Sequence, residues 1–140
     1  MIRISIERAN GYEFRIRVRD TDVASFTSDE APPLGKGRSP SPEALLGAAV
    51  GSCLSASLLF CLKKARVDVD SFGAEVGIEH MRNERGRLRI GSIQVALSAH
   101  VPPEQRQRYD RCRELFEDFC TVTESVRSGI PVEVTAELNG

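Results

Sequence analysis

Four cysteines, Cys53, Cys61, Cys112 and Cys120, are the side chains here best equipped for chemistry. A cysteine thiolate is a strong nucleophile, and two thiols within reach can pass between reduced and disulfide states. Cys53 lies inside Ala44 to Leu62, a run with no charged residue and many small ones, where a peroxide or thiol could approach. The competing expectation is packing, because a free cysteine behaves as a small hydrophobe and is among the most buried residue types. Cys61 and Cys112 sit in apolar stripes beside large side chains and are expected to pack. Cys120 ends a helical stripe at the junction with a new helical turn, and a nearby helix N-terminus would lower its thiol pKa.

The N-terminal stretch MIRISIERANGYEF carries charge from its third residue and has no apolar h-region. No secretory leader is expected, and the expected compartment is the cytosol. Cysteines there are reduced at rest, so a transient or catalytic thiol pair is expected rather than a static disulfide framework. Net charge is −1, with acids and bases mixed along the chain. That gives no electrostatic case for a nucleic-acid partner. The basic cluster Met81 to Arg89 is interrupted by Glu84 and reads as a solvated turn. His80 and His100 fall far from any Cys-x-x-Cys or His-x-x-His spacing, so a metal held by Cys53, Cys120 and a histidine is the weakest chemical alternative.

The elements that must position these cysteines follow from periodicity. At 140 residues the chain is expected to be a single domain spanning 1–140. Ile2, Ile4 and Ile6 alternate with polar residues as a half-buried strand. Asn10-Gly11 then separates them from Tyr12, Phe14, Ile16 and Val18, a strong hairpin signal. A third short strand is expected over Asp22 to Thr27. Four of the seven prolines fall between Pro32 and Pro42, marking a long irregular loop. Ser41-Pro42-Glu43 is a helix start, with Ser as N-cap and Pro at the first helical position, and the helix should reach about Arg66. Two more strands follow, Phe72 to His80 and Leu88 to Ala99, with a β-bulge expected at Gly91 where the apolar phase shifts. Pro102-Pro103-Glu104 opens a second helix with the stripe Tyr109, Cys112, Leu115, Phe116, Phe119 and Cys120. A short helical turn and a last strand, Pro131 to Leu138, complete the chain. The class is α+β with a mainly antiparallel sheet.

The uncharged run is long enough to cross a bilayer but holds Gly47, Gly51, Ser52, Ser55 and Ser57, and a buried core helix is expected instead of a membrane span. At about 100° per residue, Leu46, Ala49, Val50, Ala56, Ser57 and Phe60 share the Cys53 face. A single subunit of this size would struggle to cover such a helix on every side, so a second subunit is a natural neighbour.

The stretch Ser-Pro-Ser-Pro-Glu-Ala-Leu-Leu-Gly-Ala-Ala-Val-Gly-Ser-Cys, residues 39–53, resembles the signature of the OsmC/Ohr family of organic-hydroperoxide reductases. The Pro-Glu-x-Leu start with a cysteine ten residues after the glutamate matches at Glu43 and Cys53. The family's second cysteine, closing a later helix before a final strand, matches Cys120 in Phe-Cys-Thr-Val-Thr-Glu-Ser-Val. The resemblance implies an OsmC-like fold in an intertwined homodimer with the long helices central. It implies a thiol peroxidase in which Cys53 forms a sulfenic acid and Cys120 resolves it to a Cys53–Cys120 disulfide. An external dithiol reductant would reopen that bond, with no bound cofactor. Glu43 would assist, although ten helical residues rise roughly 15 Å, so it would act at the cysteine of a partner chain or across a break in the helix. The bland alternative for Glu43 is an acid at a helix N-terminus. The family's N-terminal arginine has no recognisable counterpart among Arg8, Arg15, Arg17 and Arg19. Arg38 is the candidate by proximity to Glu43.

An apolar substrate site is expected from Leu46, Val50, Phe60, Phe116 and Phe119. Three other readings stay open. One is a non-peroxidase module on the same fold, binding an apolar or acyl-thiol ligand or sensing oxidation. The others are the metal site and a purely structural role.

Overall fold

The structure, a computed structural model, describes residues 1–139. Strands β1 (Ile4–Asn10), β2 (Glu13–Val18) and β3 (Phe26–Ser28) form an antiparallel sheet in the order β1-β2-β3. Helix α1 (Pro42–Lys64) follows, then the paired strands β4 (Ser71–Arg82) and β5 (Leu88–His100). A single 3-10 turn, Pro103–Gln105, leads to α2 (Arg106–Leu115). A second, Phe116–Phe119, leads to α3 (Thr121–Ser128). The chain divides into two compact units, residues 1–48 with 76–94 and residues 49–75 with 95–140; α1, β4 and β5 each contribute to both.

In the first unit, Gly11 at φ 55° turns β1 into β2, and Ile4, Ile6 and Arg8 face Val18, Ile16 and Phe14. The register slips between Arg8 and Asn10. Ile16 is buried, but Ile2, Ile4 and Ile6 are exposed, not half-buried as their alternation predicts. The third strand starts later than expected, at Phe26. The Pro/Gly loop is organised around the buried Asp29 carboxylate, which accepts the Glu30 and Lys36 backbone N–H groups at 2.8 and 3.2 Å. Burial works to raise the Asp29 pKa, but the N–H groups of Glu30, Lys36, Arg38 and Gly37 outweigh it and hold the carboxyl below its usual range.

Ser41 starts α1 as its sequence dictates. Its hydroxyl accepts the Ala44 N–H at 3.2 Å, satisfying one of the helix's free donors. Lys63 and Lys64 complement the C-terminal dipole. The helix ends at Lys64, short of Arg66. Arg66 takes the left-handed conformation, φ 57°, while Val67 N–H bonds Leu62 O at 2.9 Å and Arg66 N–H bonds Lys63 O at 3.1 Å. This is a Schellman ending with arginine where glycine is usual, and Val67 is buried behind it.

The long helix is not buried on most sides. Gly47, Val50, Gly51, Leu54, Leu58 and Leu62 form one buried stripe, while Ala48, Ala49, Ser52, Ala56, Leu59 and Phe60 are exposed. One chain supplies neighbours for one face only. Gly47 permits the closest approach on the buried stripe, since a Cβ there would stand 2.8 Å from Ile78 Cδ1.

In the second unit the buried residues are Val50, Gly51, Leu54, Leu58, Leu62, Val67, Cys112, Phe116, Cys120 and Thr123. Cys112, Phe116 and Cys120 recur at helical spacing. Two other members of the expected stripe, Leu115 and Phe119, are exposed. The chain from Gly129 onward forms no strand among the described residues, and Ile130, Val132, Val134 and Leu138 are exposed. The expected strand over Pro131 to Leu138 is thus absent. Its alternation is strand-like, but an isolated strand has no ladder to complete its hydrogen bonds.

Candidate active site

Cys53 is a free thiol, half-buried on α1. Ala56, Ser57, Phe60, Cys61 and Lys64 follow it along the same side of the helix, and together they line a cavity of about 600 Å³ with Phe116, Phe119 and Thr121. That volume suits a small organic molecule. Among the lining residues Lys64 alone carries a charge, and its ammonium lies 5.3 Å from the centre of the Phe60 ring.

Cys120 is the second free thiol and is fully buried. It is the N-cap of α3, where its carbonyl accepts the Glu124 N–H at 3.0 Å. Its sulfur lies 3.0 Å from Thr123 Oγ1. Burial pushes the Cys120 thiol pKa up, but hydrogen bonds from Cys53, from the Thr123 hydroxyl and N–H, and from Ser57 outweigh it, and the net direction is down. Cys53 is the free thiol that a molecule in the cavity meets, and Cys120 is closed off from solvent.

The other sequence-predicted residues lie elsewhere. Val50 belongs to the buried stripe of α1 and Leu46 is half-buried; neither lines the cavity that holds Cys53, although spacing placed both on the Cys53 face. Glu43, in the first unit, pairs with His80, Oε2 to Nε2 at 3.4 Å, and the two line a different cavity with Glu30 and Ser41. Arg38 lines a third cavity with Asn10, Tyr12 and Glu13.

Cys61 and Cys112 correct the expectation of two reduced packing residues. They form a disulfide with a Cα–Cα distance of 5.7 Å across a sequence separation of 51. The physical reason is that the packed cysteines of two neighbouring helices meet with backbones already at bonding distance.

Sequence reasoning also missed Thr123, Thr121, Lys64 and His80. Thr123 was findable, since a hydroxyl three residues after a helix N-cap lies beside it. His100 bonds Asp70 at 3.0 Å, and no cluster of three or more metal-binding side chains occurs among the described residues.

A family model described as OsmC-like protein matches residues 35–135. No curated protein matches the chain. Among solved structures, an OsmC-like protein of unknown function from Vibrio cholerae is similar at TM-score 0.71 and 16% identity, covering 89% of this chain and 92% of that one. An OsmC-like protein from Mycoplasma pneumoniae has TM-score 0.69 and 14% identity over 91% and 87%. The organic hydroperoxide resistance protein OhrB of Bacillus subtilis has TM-score 0.62 and 21% identity over 91% and 90%. At these identities the structural likenesses speak for the fold. With the family match over most of its length, the α+β fold with antiparallel sheets and three helices, and its free cysteines, the chain belongs to the OsmC-like family.

Proposed function

We propose that the chain is a two-cysteine thiol peroxidase for organic hydroperoxides, working as a soluble cytosolic homodimer. The observation that carries this reading is a half-buried free thiol, Cys53, in an aromatic-lined cavity, with the second free cysteine, Cys120, fully buried in the same compact unit. The Cys53 thiolate attacks the distal oxygen of ROOH and the O–O bond breaks. ROH leaves after protonation, and Cys53 is oxidised to the sulfenic acid. The Cys120 sulfur then attacks Cys53, water departs, and a Cys53–Cys120 disulfide forms before further oxidation. An external dithiol reopens the bond, and no bound cofactor takes part. Phe60, Phe116 and Phe119 favour an organic hydroperoxide over hydrogen peroxide, because apolar burial yields about 25 cal/mol per Å².

The dimer rests on surfaces that one chain leaves open. The exposed side of α1 carries Ala48, Ala49, Ala56, Leu59 and Phe60, and the C-terminal segment presents Ile130, Val132, Val134 and Leu138. In the intertwined assembly, a second copy covers the helix and pairs the segment. Glu43 acts there at the cysteine of the second subunit, with its charge balanced by His80 or by Arg38.

A non-peroxidase module that binds an apolar ligand or senses oxidation is the second reading. What favours it is that no arginine stands among the residues lining the Cys53 cavity. Cumene hydroperoxide and hydrogen peroxide, each with excess dithiol, separate the two. The peroxidase turns over repeatedly and faster with the organic oxidant, and a single equivalent links Cys53 to Cys120 in peptide maps. No turnover, with oxygen added slowly across the cysteines, refutes the peroxidase and leaves the binding module.

A further inference from the structure

Cys61 occupies two positions of consequence. Its sulfur is bonded to Cys112, and its side chain lines the same cavity as Cys53. Cys112 is buried, so Cys61 is the sulfur of that bond that a molecule in the cavity can reach. Lys64, nearly one turn further along α1, places an ammonium on the same wall, where it attracts an incoming thiolate. Independently of the disulfide, Arg108 Nη1 on α2 donates to the Ala65 carbonyl at the end of α1, 3.1 Å away. That contact joins the same two helices through groups other than the sulfurs.

We infer that Cys61 and Cys112 are a second redox-active pair, closed by hydroperoxide and reopened by a dithiol through the Cys53 cavity. In closing, the Cys61 thiolate attacks ROOH, ROH is released, and Cys61 becomes the sulfenic acid. The Cys112 thiol displaces water and the disulfide forms, two electrons having passed to the peroxide. In opening, one thiolate of a small dithiol attacks Cys61 and Cys112 leaves as thiolate, taking up a proton. The second thiol of the dithiol then closes on the mixed disulfide and frees Cys61, so the dithiol leaves oxidised. Cys53 and Cys61 stand eight residues apart on one helix, a rise of roughly 12 Å, which keeps these two cavity-lining sulfurs from exchanging directly. Each pair therefore reacts on its own, and a fully reduced chain consumes two equivalents of hydroperoxide. Because α2 runs on through Phe116–Phe119 to Cys120, the second bond also anchors the arm that carries Cys120.

The test uses the double variant Cys53→Ser/Cys120→Ser, fully reduced and then given one equivalent of cumene hydroperoxide. The expected result is a mass loss of ~2 Da with a Cys61–Cys112 peptide, reversed by dithiothreitol without denaturant. Free thiols that persist after the oxidant overturn the proposal. So does a disulfide that dithiothreitol reaches only after unfolding, since that bond is an inert cross-link. Differential alkylation of the reduced wild-type chain covers the case of a misfolded variant. Uptake of a second equivalent at Cys61 and Cys112 is expected there. A Cys53–Cys120 bond formed while Cys61 and Cys112 remain alkylatable overturns this inference and leaves the peroxidase reading standing.

Discussion

Cys53 and Cys120, the two free thiols, differ in exposure: Cys53 is half-buried and Cys120 fully buried. Cys53 lines a cavity, whereas Cys120 is fully buried at a helix N-cap, its sulfur 3.0 Å from Thr123 Oγ1. Access to the cavity thereby belongs to Cys53, and the thiol held below its ordinary pKa is the buried Cys120.

That split separates the cysteine variants. Cys53→Ser should abolish sulfenic acid and disulfide formation at this pair, so that any remaining peroxide turnover runs through Cys61 and Cys112. Cys120→Ser should still form a sulfenic acid at Cys53 in the first turnover, but no disulfide to Cys53, and Cys53 should over-oxidise under repeated doses. Trapping with a sulfenic-acid reagent and intact mass distinguish the two; equal first-turnover rates in both variants would contradict the assignment.

Thr123→Val removes the hydroxyl that is hydrogen-bonded to the Cys120 sulfur while keeping the side chain's shape. The Cys120 pKa, held below its ordinary value near 9.0, should rise toward it. A depressed folded pKa contributes stability that is present above the unfolded value and lost as pH falls through the folded one. The wild type should therefore gain stability from neutral pH to about 9, and the variant should gain less. Thiolate absorbance in a Cys53→Ser background and denaturation at two pH values measure both.

Phe119 is 78% exposed yet lines the cavity. Phe119→Ala should change chain stability by less than about 0.5 kcal/mol. It should lower kcat/KM for cumene hydroperoxide by about tenfold, the equivalent of ~1.4 kcal/mol of apolar contact, with little effect on hydrogen peroxide. An equal loss for both oxidants would remove Phe119 from the substrate site.

Arg66→Gly should stabilise the fold by roughly 0.5–1 kcal/mol, relief of a left-handed backbone exceeding the entropy that glycine adds to the unfolded chain. The change lies outside the Cys53 cavity, so a higher Tm with unaltered turnover is the expected pair of results.

Asp29→Asn should loosen the Pro/Gly loop. Because the Asp29 carboxyl is held below its usual range, its contribution is present above about pH 4 and lost as pH falls through the folded value. The wild type should lose more stability than the variant between pH 5 and pH 2, the two curves converging on acidification.

The sequence by itself determined the order of elements from β1 through α3 and the Ser41 cap, because each rests on local spacing or on a motif carried by a short segment. Asn10-Gly11 turned a hairpin, and Ser41-Pro42-Glu43 started a helix, through contacts a few residues long. Only the tertiary structure decided which face of α1 is buried, since Val50 and Phe60 are both apolar and only packing distinguishes them. Tertiary structure also decided that Cys61 meets Cys112, because four cysteines permit three complete pairings and spacing ranks none of them. The expected strand from Pro131 failed for the same reason in reverse. Its pattern is local, but a strand exists only where another backbone offers an edge.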